Sequence, residues 1–141
     1  MADLEALIRL RRHAVEQKQK ILAEIFRHAE VIEQRKKELL DRLAKERKAL
    51  DENHSIETAA YYGRFEGVIR SDIGRMDTEL QKLETRIQIA QEEVRAAFAD
   101  MKRVEIVHKR RKEEEAEELK KKESADLDEI GIEGFRRKEE I

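Results

Sequence analysis

Alternating steps of four and three residues through positions 69–104 land on an apolar side chain every time. The positions are Ile69, Ile73, Met76, Leu80, Leu83, Ile87, Ala90, Val94, Ala97, Met101 and Val104, and charged or amide residues fill much of the surface between them. The mean period is 3.5 residues, at which a helix keeps one narrow face turned toward a neighbour as the two supercoil. A helix on a globular domain buries a wider, less regular stripe. A second helix with a matching seam is therefore required.

The N-terminal third supplies it. From Leu4 the same steps reach Ile8, Arg11, Val15, Lys18, Leu22, Ile25, Ala29, Ile32, Lys36, Leu39, Leu43, Glu46 and Leu50. Arg11, Lys18, Lys36 and Glu46 interrupt this seam, but long Lys and Arg stems lie across apolar neighbours while their heads reach water. Leu7, Ile21, Phe26 and Leu40 widen the apolar face. The chain has no Pro, so nothing interrupts the backbone ladder of a long helix. Helix one is expected over about 3–50, with Asp3 as its N-cap.

Between the seams stands DENHSIE, residues 51–57. Asp, Asn and Ser favour turns and caps because their short side chains bond nearby backbone groups, and Ser55 is the expected cap of helix two. Folding the chain at about residue 54 makes paired positions sum to roughly 109. That sets Leu39 against Ile69, Leu22 against Ile87, Val15 against Val94 and Ile8 against Met101, with Leu4 beside Val104. The second seam ends where the first helix runs out of chain, a coincidence that a parallel dimer does not predict. Charge agrees: residues 1–50 hold thirteen basic and nine acidic side chains, residues 51–100 six and eleven. The expected fold is all-α, a long antiparallel two-helix coiled-coil hairpin whose second helix overhangs the first.

Beyond Val104 the seam positions become His108, Arg111, Glu115, Glu118 and Lys122. The blocks KRRK, EEEAEE and KKK follow, and Glu117 with Lys121 and Glu118 with Lys122 have the acid-before-base spacing that supports an isolated helix. Helix two is expected over about 58–124, the hairpin over 1–125, and 126–141 as a flexible tail with two glycines and no period.

Charged residues are 45% of the 141-residue chain and aromatics 4%, with no Trp, so a thick globular core is not expected. The net charge of −2 argues against an electrostatically driven nucleic-acid binder. Without Cys there is neither a disulfide framework nor a thiolate metal site. His13, His28, His54 and His108 are scattered, and none has a second ligand at metal spacing. Gly63, Gly67, Gly74, Gly131 and Gly134 form no phosphate loop. No catalytic residue, metal, cofactor, nucleic acid or small-molecule substrate is expected. No apolar run is long enough to span a membrane or serve as a signal peptide.

Contact with other proteins is the remaining chemistry. Tyr61, Tyr62, Phe65, Val68 and Ile69 crowd the start of helix two, and five large side chains exceed what one two-stranded layer buries. Tyr62 and Ile69 fall on the seam and Phe65 at its edge, so core packing and a partner-facing patch are both open readings. Tyr61 and Phe65 are the candidate contact residues of this group. At the other end Leu10, Ile106 and Val107 lie off the seam and form a second candidate surface.

The opening LEALIRLRRHAVEQKQ, the post-turn YYGRFEGVI, the leucine-poor heptad run and the closing LDEIGIEGFRR together resemble the FliJ family of flagellar protein-export components and its virulence type III secretion counterparts. The resemblance covers nearly the whole chain. It implies an antiparallel coiled-coil hairpin similar to the central stalk of rotary ATP synthases, cytoplasmic and peripheral to the inner membrane at the flagellar basal body. It also implies three partners: the hexameric export ATPase, whose ring the joined termini enter; the cytoplasmic part of the membrane export gate; and export chaperones. The family's gate-contact patch begins with an aromatic and an aliphatic residue four apart, matched by Phe65 and Ile69. Its next positions fall at Asp72 and Met76, which depart from the pattern. A coiled-coil tether or dimerisation module unrelated to export remains open beside this reading.

Overall fold

The computed structural model describes residues 4–53 and 55–139, and Asp3 and His54 lie outside them. Two helices account for all but Asn53 and Ser55: α1, Leu4–Glu52, and α2, Ile56–Glu139. No strand occurs among the described residues. The fold is an antiparallel helical hairpin.

The link is shorter than the sequence suggests, because both helices run into the polar stretch. The Asn53 N–H donates to the carbonyls of Ala49 (3.1 Å) and Leu50 (3.2 Å), closing the last turn of α1. Ser55 then caps α2: its Oγ accepts the Thr58 N–H at 3.0 Å. This satisfies one of the amide donors that a helix start leaves without a partner. The Ser55 hydroxyl also pairs with the Thr58 hydroxyl.

The chain divides into two compact units, residues 14–97 and residues 1–13 with 98–141. In the first, Val15, Ile32, Leu43, Tyr62, Ile69, Leu83 and Ala90 are buried, and every one is a seam residue. Leu43, Tyr62 and Ile69 form a cluster near the turn, with Leu39, Leu50, Phe65 and Ile73 packed against it. Leu39 thus meets the Ile69 cluster, as the register requires. Cross-helix polar contacts fix that register further along. Lys18 Nζ lies 3.1 Å from Glu93 Oε2, His28 Nε2 3.4 Å from Glu79 Oε1, and Lys36 Nζ 2.6 Å from Asp77 Oδ1. Their residue numbers add to 111, 107 and 113, bracketing the expected pairing.

Lys18 and Lys36 show how a seam carries cations. Each stem stays half-buried, and each head reaches a carboxylate on α2. The hydrogen bond to Asp77 is the main influence holding Lys36 above the ordinary lysine value of 10.5, against the opposing effect of desolvation.

In the second unit Met101 is buried, and Val104, Glu105 and His108 are half-buried. Arg12 Nη2 lies 3.7 Å from Glu105 Oε1, and Glu5 Oε1 lies 3.8 Å from His108 Nε2 and 3.6 Å from Lys112 Nζ. Contact between the helices therefore continues through polar groups past Val104, where the apolar pattern ends. Every residue from 109 to 139 is exposed. The helix nevertheless extends to Glu139, fifteen residues beyond the expected boundary at 124. Backbone ladders need no apolar period, and Gly131 and Gly134 lower helix propensity without breaking the ladder as Pro would.

Candidate docking surfaces

Phe65 follows Tyr62 by three residues and precedes Ile69 by four, which places it on the flank of the α2 seam. Its ring is half-buried, with its inner edge against the Leu43–Tyr62–Ile69 cluster. Tyr61 stacks on it, with ring centroids 6.2 Å apart and planes inclined by 14°. Arg42 reaches across from α1 and holds its guanidinium carbon 5.1 Å from the ring centroid. A cation over an aromatic face contributes about 0.5–1 kcal/mol at an exposed site. The ring is therefore wedged between core and surface, where sequence placed it at the edge of the seam.

Tyr61 is 52% exposed and Val68 61%. Ile69 is a different matter. At 5% exposure it belongs to the core cluster, so it cannot offer its side chain to a partner. Its seam position commits it inward and corrects its inclusion among the contact residues. What remains open is Tyr61, Val68 and the outer edge of Phe65, with Arg42 alongside. Behind them Arg47 lies 5.9 Å from the Tyr62 ring centroid, and its hydrogen bond with Tyr62 is the leading cause of its raised pKa.

In the other unit Leu10 is 63% exposed, Ile106 50% and Val107 42%. Consecutive helical residues project about 100° apart, so Ile106 and Val107 present a broad surface rather than a focused one. Sequence reading passed over the apolar side chains further along, Leu119, Leu127, Ile130, Ile132 and Phe135, all exposed. Leu127 and Phe135 lie on one side of the helix in two four-residue steps, with Gly131 midway between them. That signal is visible once the segment is taken as helical.

No three His, Asp or Glu residues among those described gather as a metal site. Among the described residues, no helix is long and apolar enough to cross a membrane.

In comparison with known proteins, the family model described as flagellar FliJ protein aligns with residues 1–140. No curated protein and no solved structure matches the chain significantly.

Proposed function

The chain belongs to the FliJ family of flagellar export-apparatus components, which is not an enzyme family, and we propose that it acts there as the central stalk of the export ATPase ring. In this reading it also links the ring to the cytoplasmic part of the membrane export gate and escorts export chaperones. It works in the cytoplasm, peripheral to the inner membrane at the flagellar basal body.

The observation that carries the reading is the helix over residues 113–139, exposed at every position and beginning after Lys112, which Glu5 still contacts. A helix without a partner over some thirty residues gains little from tertiary packing, which normally supplies most of a helix's stability. Such a segment suits insertion into a ring that provides the missing surroundings. The stretch from residue 126 to Glu139, helical like the rest of α2, gains its packing only on engagement. Leu10, Ile106 and Val107 serve the same end of the hairpin as a contact surface. Tyr61 and Phe65 serve the gate, with Ile69 supporting them from beneath.

Ending the chain after Lys112 tests this. The truncated protein keeps the Glu5 and Arg12 contacts, so it should melt near the full chain while losing stimulation of the export ATPase. Undiminished stimulation would remove the overhang from the mechanism. If the full chain binds neither ATPase nor gate, it is a tether of another kind.

A further inference from the structure

The outward sides of α1 and α2 in the unit formed by residues 14–97 differ in composition. On α1, acids and bases alternate: Glu16, Lys20, Glu24, Arg27 and Glu30 all point to solvent. On α2, one line of seven-residue steps runs through Tyr61, Val68, Arg75, Lys82 and Ile89, every one exposed. The column beside it holds Arg64, Ser71, Thr78 and Thr85, also exposed. On the next column, residue 60 and every seventh after it up to 88 are only Ala, Gly or Gln.

No acidic residue occupies these three columns between 60 and 89. In a chain with 33 acidic residues among 141, that is a marked depletion. Asp72, Asp77, Glu79 and Glu84 sit on the columns flanking the seam, where Asp77 meets Lys36 and Glu79 meets His28, and Glu66 falls on the seam itself, paired with Arg70. Arg64, Arg75 and Lys82 form no ion pair with any described residue. The face thus offers uncompensated cations in its middle and apolar side chains, Tyr61, Val68 and Ile89, toward its ends.

We infer that this outer face of α2 is a docking surface for an acidic amphipathic helix of a partner protein, laid along it as a third strand. The line of seven-residue steps is what selects a helix. Only another helix in the same supercoiled frame meets side chains at that spacing over the whole line, about 40 Å at 1.5 Å per residue. The charges select its chemistry: carboxylates in its central heptads opposite Arg75 and Lys82, and apolar residues near its ends. A membrane surface fits less well, because anionic lipid gives about 1 kcal/mol per cation and three cations with three apolar groups make a weak anchor. This face goes beyond the Tyr61–Phe65 patch and shares Tyr61 and Val68 with it.

The test uses the full chain and a labelled synthetic helical peptide of about 30 residues, matching that length, with Leu in its outer heptads and Glu in its central ones. Anisotropy titration should show saturable binding that Arg75→Glu with Lys82→Glu weakens by about tenfold or more. Raising salt from about 50 to about 500 mM should weaken it as well. Arg27→Glu, on the outward side of α1, should leave binding unchanged, and circular dichroism should show all variants equally helical. Equal binding of a peptide carrying Lys in place of Glu would overturn the proposal, as would full affinity in the double variant. So would vesicles rich in anionic lipid that capture the chain through Arg75 and Lys82. Self-association of the wild type that the double variant abolishes would assign the face to a second copy instead.

Discussion

Arg42 of α1 stands over the ring of Phe65 of α2, 5.1 Å from its centroid, while Tyr61 stacks on that ring. The arrangement couples a surface aromatic to the hairpin's core, since Phe65 also packs on Leu43, Tyr62 and Ile69.

The two aromatics should therefore separate fold from docking. Phe65→Ala should destabilise by less than the about 3–5 kcal/mol of a fully buried ring, but measurably, because half the ring is in the core. Tyr61→Ala should stay within about 0.5 kcal/mol of wild type, as exposed substitutions do. Both should weaken gate binding, Tyr61→Ala by a hot-spot amount of about 2 kcal/mol. Urea midpoints and a gate titration read the two effects independently. Unchanged gate affinity in Tyr61→Ala would assign the aromatic stack to the fold alone.

Leu83 is the most buried of the core residues, 3% exposed. Leu83→Ala should cost about 2–5 kcal/mol. Leu83→Asp should cost more, because a carboxylate there has no partner to offset its desolvation. Thermal melts followed by circular dichroism should rank the three proteins in that order. A Leu83→Asp melt that overlays the wild type would place the position outside the core.

Lys36 sets an alkaline limit. Its hydrogen bond to Asp77 raises its pKa in the folded chain, so the charged form is favoured by folding. The stabilisation is fully present below the unfolded lysine value, about pH 10.4, and is lost as pH rises through the higher folded value. The gap in urea midpoint between wild type and Lys36→Met should hold steady from neutral pH to about pH 10, then close. Arg47 remains charged across this window, since its pKa is raised from an already higher value. A gap that closes near neutrality would show that Lys36 acts through packing or another group.

A Cβ built on Gly67 or Gly74 meets nothing within 4 Å, and neither residue has positive φ. Gly67→Ala and Gly74→Ala should each stabilise the helix by about 1 kcal/mol. The two sites are seven residues apart with no shared neighbour, so the gains should add. Chemical denaturation of the single and double variants tests both statements. A loss of stability would show that the helix uses its freedom at these points.

Much of this architecture could be read from residue order, because a two-helix seam is a one-dimensional problem. The identity of residues such as Leu39, Ile69 and Leu83 as apolar steps sets the face, and the position of the turn sets the register. Flank pairings were harder. Whether Arg42 meets Phe65 depends on which side of the seam each occupies and how far a long side chain reaches, and the seam pattern is silent on both. Ile69 entered the candidate site through the family pattern, although its place in the heptad already assigned it to the interior. Two glycines and an absent apolar period do not end the helix over 125–139, which continues to Glu139. The period reports only where a partner lies.

The core residues are 3–7% exposed, and no side chain among those described is completely enclosed. An interior this thin is assembled one layer at a time, each layer drawing on a few residues from α1 and their counterparts on α2. Removing seven residues from α1 and the facing seven from α2 would take out two such layers and rejoin the rest in phase. Homologous chains can therefore lengthen or shorten by matched heptads without rebuilding a core.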